Sequence, residues 1–468
     1  MKIVLADPPR KESHYDNSYP NIGILYLISY LRKYCQTPLE LVYLEGDCTL
    51  EQHLNFVEAQ RPDIYGLSFA MWTADLAYKT LSAVKQRLPQ TLTICGGPEP
   101  TANHQLVFQN STVDICVLGE GEATLNQLVE ALASGGDLRQ VPGLALRQEG
   151  AEALTTPKRQ LIADLEEIPL PAWDLVDLAK YSGMHINKSS PQTHMLVSRG
   201  CPFDCNFCAN PVWKLNKPWV RMRQPSSIAA EVKLLYDKGV REIYMTSDEF
   251  NVSEKWSLEV CQAIKSLGLR DLYFQCNLRA DNVSEKLAQA FSGINLWLIH
   301  LGIESGNQRT LDGIGKHITI EQIERTCRIM QAANIKVFGF VMLFHAWEEN
   351  GVLQFETPAD VHKTLDFCRR LLSRKLIQYM SWQVATPMPG SRLHATAKKF
   401  NLIPDKKITG VWAQNLLLPG VKTDEVKKAL RRGMLLKNYY LLKNGNINLS
   451  HFSRALRNLK VIFGRQHG

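Results

Sequence analysis

The sequence predicts an α/β protein with two parallel sheets in tandem. A doubly covered sheet spans residues 1–140, a connector 141–188, an open, partial (β/α)6 barrel 189–395, and a basic helical region 396–468. Three observations predict this. Short apolar runs of strand type alternate with amphipathic helical stretches, the pattern of parallel strands joined by crossover helices. The alternation breaks at a proline-bearing stretch, EEIPLPAWDLVDL, and then resumes. The second series holds six strand-like runs, too few for a closed eight-stranded barrel.

Composition excludes other classes. A chain of 468 residues has room for about three domains. Apolar residues make up 45% and charged residues 21%, a globular balance that argues against a disordered chain. No uninterrupted apolar run reaches the ~18–20 residues that span a bilayer. The start, MKIVLADPPRKESH, lacks the long apolar stretch and cleavage site of a secretory leader. A cytoplasmic protein is the expectation.

In the first region KIVLADPP reads as a strand ending in a Pro-rich loop. NIGILYLISYLRKY follows as a helix with Ile24, Leu27, Ile28 and Leu31 on one face. LELVYLE, DIYGLSFA, LTICGG and VDICVLGEGE are further strands, separated by helices such as ADLAYKTLSAVKQRL. Right-handed crossovers put the loops after the strands on one sheet edge, where such sheets bind ligands. Those loops are Asp7-Pro8-Pro9, Gly66-Leu67-Ser68, Gly96-Gly97-Pro98 and Gly119-Glu120-Gly121-Glu122. Small residues let backbone N–H groups approach a ligand closely, so four such loops on one edge point to a large, flat ligand.

The connector is extended and docked by Trp173. HMLVSRG, EIYMTSD, LYFQCNL, LWLIHLGIES, IKVFGFVML and LIQYMSWQVATP then read as barrel strands, with helices such as TIEQIERTCRIMQAANI between them. From Ser391 to the end there are 16 Lys and Arg against 3 Asp and Glu, out of 54 and 46 in the whole chain. The net charge of +8 thus sits on the tail, and the body is mildly acidic. HFSRALRNLKVIF places Phe452, Leu456, Leu459 and Phe463 at helical spacing beside Arg454, Arg457 and Lys460. That mixture suits either docking on the barrel or attachment to an anionic surface, lipid or acidic carrier protein. Aromatic residues do not alternate there at base-stacking spacing, so nucleic acid is not the expected partner.

Eight of the 11 cysteines lie scattered in apolar or amphipathic runs and read as small buried hydrophobes. Cys201, Cys205 and Cys208 are different: in SRGCPFDCNFC they have the spacing C-x3-C-x2-C. Structural zinc usually takes four ligands in two separated pairs, and no partner pair follows. A thioredoxin-type site needs two cysteines only. An iron–sulfur cubane held by three thiolates leaves one iron open.

On these residues the chain resembles the radical S-adenosylmethionine (SAM) superfamily. Its four-loop N-terminal sheet is similar to the cobalamin-binding domain fused to one branch of that superfamily, the class B methyltransferase-like enzymes. The resemblance covers roughly residues 1–395. It implies a Rossmann-like sheet of cobalamin-binding type ahead of a radical SAM partial TIM barrel. It implies a [4Fe–4S] cluster on Cys201, Cys205 and Cys208, with SAM chelating the open iron, and a flavodoxin or ferredoxin type electron donor. Reductive cleavage of SAM would give a 5′-deoxyadenosyl radical that abstracts hydrogen. By the same resemblance Phe207 packs near the adenine, while Asp248 and Glu249 meet the SAM amino group. Arg279 pairs with its carboxylate, and Glu304 and Ser305 contact ribose and methionine. Cobalamin falls to Asp7, Pro8, Ser68, Trp72, Gly96, Gly97, Gly119 and Glu120.

Two departures stand out. The fifth barrel strand leads into Met342-Leu343-Phe344-His345-Ala346-Trp347-Glu348-Glu349, where many relatives have a turn resembling G-x-P-G-E-T; Glu356-Thr357 comes only after an insertion. His345 and Trp347 are therefore candidates for a subfamily substrate pocket. The first region also lacks D-x-H-x-x-G, and His14 is out of context, so no protein histidine is expected on cobalt; Trp72 would cover the lower face. The resemblance implies C-methylation of an unactivated carbon in a small-molecule or lipid intermediate. The alternative is cyclisation, ring contraction or dehydration on the same core, with or without cobalamin. RNA modification is the weaker alternative, because the extra cysteine triplet and β-rich RNA domain of methylthiotransferases are missing.

Overall fold

A computed structural model describes residues 1–10, 19–148, 150, 152–181, 183, 186–214, 216–404 and 415–446. Contacts divide the chain into two units: 1–183 with 191–194 and 210–227, and 184–190 with 195–209 and 228–468.

The first unit is a seven-stranded sheet. Its strands are β1 (Lys2–Ala6), β2 (Glu40–Leu44), β3 (Ile64–Ser68), β4 (Leu92–Gly96), β5 (Ile115–Val117), β6 (Leu144–Leu146) and β7 (Leu154–Thr155). The helices between them are α1 (Ile22–Tyr34), α2 (Leu50–Gln60), α3 (Ala74–Arg87), α4 (Pro98–Asn110) and α5 (Glu122–Ser134). The order is β2-β1-β3-β4-β5-β6-β7, with β1 to β5 paired in parallel. The chain steps to one side of β1 for β2 and to the other for β3, so the edge above β1 and β3 is a topological switch point. Helices α1 and α5 pack together, and α2, α3 and α4 form a separate series. Val4, Tyr65, Leu67, Leu54, Val57, Leu81, Val84 and Val107 are buried in one core. The first two helices start at side-chain caps. The Asn21 side chain accepts from the Ile24 N–H to start α1, and Thr49 and Gln52 form a capping box on α2. On α1 Ile24, Leu25, Ile28 and Leu31 are buried while Leu27 is only half-buried, a small shift of the predicted face. Strands β6 and β7 lie within the stretch read as a connector and extend the sheet antiparallel beyond β5.

The second unit follows the barrel pattern. Strand β8 (Gln192–Leu196), whose first residues belong to the first unit, and the short β9 (Ser198–Arg199) come first; β10 (Arg221–Met222) lies in the 210–227 segment of the first unit and leads into α6 (Pro225–Asp237). Then come β11 (Glu242–Thr246), α7 (Glu254–Ser266), β12 (Tyr273–Leu278), α8 (Glu285–Ser292), β13 (Leu296–Glu304), α9 (Gln308–Gly313), α10 (Ile320–Ala332) and β14 (Lys336–Leu343). A hairpin of β15 (Ala346–Glu349) and β16 (Val352–Phe355) leads to α11 (Pro358–Ser373), β17 (Tyr379–Val384), α12 (Arg392–Lys399) and α13 (Thr423–Lys443). The six-stranded sheet runs in chain order, β8-β11-β12-β13-β14-β17. Burial alternates along β14: Val337, Gly339, Val341 and Leu343 are buried, whereas Phe338, Phe340 and Met342 are half-buried on the opposite, inner face. No helix among the described residues is long and apolar enough to cross a membrane. His14 and the amphipathic segment from Phe452 to Phe463 lie outside the described residues.

Candidate active site

In the first unit the predicted loop residues gather at the C-terminal strand ends, but they differ in what holds them. The Asp7 carboxylate is buried and accepts from Asn21 Nδ2 at 2.6 Å and the Tyr43 hydroxyl at 2.8 Å, with Arg10 at 3.7 Å. Burial pushes its pKa up, against the pull of Arg10. Asp7 therefore ties β1 to α1. Pro8 follows it, and its carbonyl lies where a Cβ on Gly46 would come within 2.4 Å, a close approach that the sequence reading missed. Glu120 is engaged by both terminal nitrogens of Arg221, in a largely buried pair. Gly119, with φ +76°, donates its N–H to the Thr101 hydroxyl at 3.0 Å.

The two glycines after β4 are not equivalent. Gly97 has φ +101°, and a Cβ there would sit 2.7 Å from the Phe69 carbonyl oxygen, so the fold itself demands glycine. A Cβ at Gly96 would make only ordinary contacts, at 3.5 Å and 3.7 Å from Val117. Packing leaves room for a Cβ at Gly96, yet none is there. Ser68 ends β3, and Trp72 follows on the 3₁₀ turn Met71–Thr73, 39% exposed. A bare edge beside an exposed indole fits a broad planar ligand such as a corrinoid.

In the second unit the cysteine loop leaves β9 and is pinned from several sides. Asp248 accepts from the Gly200 N–H at 2.8 Å, and Gly200 itself has φ +85°. Asn206 donates its backbone N–H to the Ile314 carbonyl at 2.8 Å and its side-chain amide to the Ala346 carbonyl at 2.8 Å. None of Cys201, Cys205 and Cys208 is in a disulfide. Burial pushes Cys201 up to about 12, and raises Cys205 against the opposing pull of Lys316 and Arg279. Among the described residues no three acidic, His or Cys side chains converge on a single-ion site. Three thiols on one loop with two cations beside Cys205 fit an anionic cluster of several metals better than one zinc ion.

The strand ends around this loop hold polar atoms with no partner. Ser198 Oγ, Ser247 Oγ and Glu249 Oε2 are buried and unpaired. Glu249 Oε1 lies 3.9 Å from Arg279 Nε, and burial pushes its carboxyl up to about 7 despite that cation. Unpaired buried oxygens are costly, and an ammonium-bearing cofactor would satisfy them. Arg279 donates to Asp281 at 3.1 Å and 3.0 Å and to the Lys316 carbonyl at 2.7 Å. It also stacks 3.5 Å over Phe203 and reaches Cys205 Sγ at 3.9 Å. Its place in the structure is thus to brace the cysteine loop.

Glu304 sits at a β-bulge between β13 and β14 with φ +58°, which turns its side chain to Lys316 Nζ at 2.9 Å. A Cβ on Gly302 would strike both partners, at 2.4 Å and 2.6 Å, so the bare glycine makes room for the pair. Lys316 was not foreseen; in the sequence it looks like any solvated lysine. The Ser305 hydroxyl donates to Glu356 Oε1 at 3.0 Å and meets the Thr364 hydroxyl at 3.0 Å. The insertion after β14 proves to be the β15–β16 hairpin, closed at its foot by the Glu356 N–H to the His345 carbonyl at 2.9 Å. Glu356 Oε2 accepts from the His345 N–H at 3.1 Å, so the hairpin returns Glu356-Thr357 to the end of β14. Phe207 lies 5.8 Å from the His345 ring. Trp347 packs on Gly313, where a Cβ would meet its ring at 2.1 Å, and under Arg309. It is a packing residue of the hairpin.

Residues 195–356 match the radical SAM superfamily, and residues 13–129 match the B12 binding domain. The chain is 28% identical over 453 residues to "Uncharacterized methyltransferase PH0819" of Pyrococcus horikoshii, covering 94% of this chain and 93% of that one. It is 26% identical to the "Anaerobic magnesium-protoporphyrin IX monomethyl ester cyclase" of Rubrivivax gelatinosus, over 90% of this chain and 73% of the relative. Its fold resembles the radical SAM methyltransferase TsrM from Kitasatospora setae, solved with cobalamin and a [4Fe–4S] cluster bound. The TM-score is 0.70 at 16% identity, covering 92% of this chain and 85% of that one.

Proposed function

Because the chain belongs to the radical SAM enzymes that carry a B12-binding domain, we propose that it is a cobalamin-dependent C-methyltransferase acting on an unactivated carbon of a small molecule or lipid intermediate. The carrying observation is the pairing of a bare sheet edge at Gly96 with a braced three-thiol loop, in one chain. Cys201, Cys205 and Cys208 would hold the cluster, whose chemistry is the one-electron reductive cleavage of SAM. A corrinoid held at the Gly96 edge would supply methyl transfer, with a second SAM as methyl source. The chain's own residues bind and orient. Glu249, Ser198 and Ser247 offer unpaired oxygens to the SAM ammonium, and Phe207 offers a ring face to its adenine. Electrons come from a low-potential flavodoxin or ferredoxin. The likeness to a named cyclase supports a second reading, in which the same core closes a ring. Mass spectrometry of the metabolites with and without active enzyme separates the two: methylation adds one methyl group from labelled SAM, cyclisation none.

The corrinoid half has its own test. Protein loaded with hydroxocobalamin is expected to retain it through desalting, and Gly96→Leu is expected to lose it with its melting temperature unchanged. Retention by that variant would remove Gly96 from the corrinoid site.

We also propose peripheral attachment to anionic lipid. Helix α13 exposes Leu435 (65%), Tyr439 (56%) and Leu442 (59%) along one face, continuing a run of exposed Lys427, Lys428 and Arg432. Residues 445–468 contain no Asp or Glu, so folding that segment back would set like charges together. An anionic surface suits both. Co-sedimentation with vesicles containing phosphatidylserine is expected at low salt and to be lost at 1 M, where screening shortens to ~3 Å. Serine at 435, 439 and 442, combined with truncation after Gly445, is expected to abolish it. Binding only to nucleic acid or an acidic protein would contradict the lipid reading.

A further inference from the structure

Resting on the reading as a radical enzyme, we infer that the inner face of the second sheet binds a flat, uncharged ring compound bearing an N–H or O–H donor, and that His300 receives that donor. The sheet register aligns Asn277, His300, Phe338 and Tyr379 in one row across β12, β13, β14 and β17. In a parallel sheet, residues in register share a face. The rings of that row lie nearly parallel. His300 stacks on Phe338 at 5.4 Å and 28°, and on Phe340 at 5.8 Å and 23°. Phe338 stacks on Tyr379 at 6.5 Å and 25°. Phe338 and Phe340 are only half-buried, so this wall of rings presents an open apolar surface inside the sheet.

Among the described residues the charged groups next to the wall already have hydrogen-bond partners. Lys336, two residues before Phe338, donates to the Tyr379 hydroxyl at 3.3 Å and to Asn446 Oδ1 at 3.4 Å. Glu242 accepts from the Lys188 and Ser189 N–H groups, Gln275 Nε2 and Trp297 Nε1 at 2.5–2.9 Å. Burial pushes His300 down to about 4, so its ring is neutral at pH 7. At Phe338, Phe340 and His300 a ligand meets apolar ring faces and a neutral acceptor, so a charged group placed there would lose its hydration without compensation.

One acceptor is left over. Gln275 Nε2 donates to the Ile186 carbonyl at 2.9 Å and to Glu242 Oε1 at 2.5 Å, so Gln275 Oε1 must accept from His300 Nε2–H, at 2.8 Å. That fixes the tautomer and makes Nδ1 an acceptor. His300 is 3% exposed, and its Nδ1 has no partner. A buried acceptor without a donor awaits one. Phe340 lies three residues before the end of β14, about 10 Å below the cysteine-loop edge at 3.3 Å per residue. The ring thus anchors the substrate at depth while the carbon that reacts sits above.

The test is equilibrium dialysis of the full chain with two near-isosteric probes, indole (one N–H) and benzothiophene (none). Both are expected to bind saturably, with indole about ten-fold tighter for its one extra hydrogen bond. Indole-5-carboxylate is expected to bind at least about ten-fold more weakly than indole. His300→Phe keeps the wall and removes the acceptor, so the indole preference is expected to collapse to about one-fold. Phe340→Ala is expected to weaken both probes while keeping their ratio, and it needs no folded His300 variant. Equal affinity of the two probes for the unmodified protein, or no saturable binding, overturns the inference. Iron content and 5′-deoxyadenosine formation are read separately, so a failed ring site leaves the radical SAM assignment standing.

Discussion

Anaerobically reconstituted protein is expected to hold about four irons and four sulfides. Replacing any one of Cys201, Cys205 and Cys208 with Ala is expected to bring SAM cleavage down to background. The expectation rests on place as well as spacing. The loop is anchored by Asp248, Asn206 and Arg279, and Arg279 and Lys316 surround Cys205 with positive charge. Cys276 and Cys327 are also fully buried, but they lie on a strand and a helix of the core. Cys327→Ala is expected to cost stability and leave the iron content unchanged. Iron retained after all three loop cysteines are removed would move the metal site elsewhere.

The second large effect is on folding. Lys316 and Glu304 form an ion pair in which both side chains are less than a tenth exposed. Burial opposes the Lys316 ammonium, but Glu304 and Cys205 outweigh it and raise its pKa. A base whose pKa is raised on folding contributes stability throughout the neutral range and loses it only above its own titration. Lys316→Met leaves a buried carboxylate without its partner, and the expected loss is about 3–5 kcal/mol in urea unfolding. The double variant with Glu304→Gln removes the stranded charge and is expected to recover most of that loss. A loss below about 1 kcal/mol for Lys316→Met would show that water reaches the pair.

The two parallel sheets were legible because strand and helix periods differ and the connector interrupts them. Strands β6 and β7 were not: at three and two residues they are too short to show a period. At the site, strand-end position picked out Glu249, whose Oε2 is unpaired, and Glu304, whose carboxylate is already paired. Sequence gives a residue's place along a strand, and only the fold gives its partner. Arg279 shows this well. Its place after β12 suggested a SAM carboxylate, and the fold gives its nitrogens to Asp281 and the Lys316 carbonyl. The hairpin after β14 looked like a departure from the family turn. The His345–Glu356 backbone contact closes it, so Glu356-Thr357 returns to the end of β14 after the hairpin. The unpaired Nδ1 of His300 could not be read from the sequence at all, because it depends on the orientation of Gln275.

The most direct test of the central claim is a product count from cluster-replete protein given SAM, a low-potential reductant and, in parallel, hydroxocobalamin or none. The account predicts 5′-deoxyadenosine in both arms, and S-adenosylhomocysteine only in the arm with the corrinoid. Absence of 5′-deoxyadenosine from both arms, or its undiminished formation by protein lacking all three loop cysteines, would contradict it.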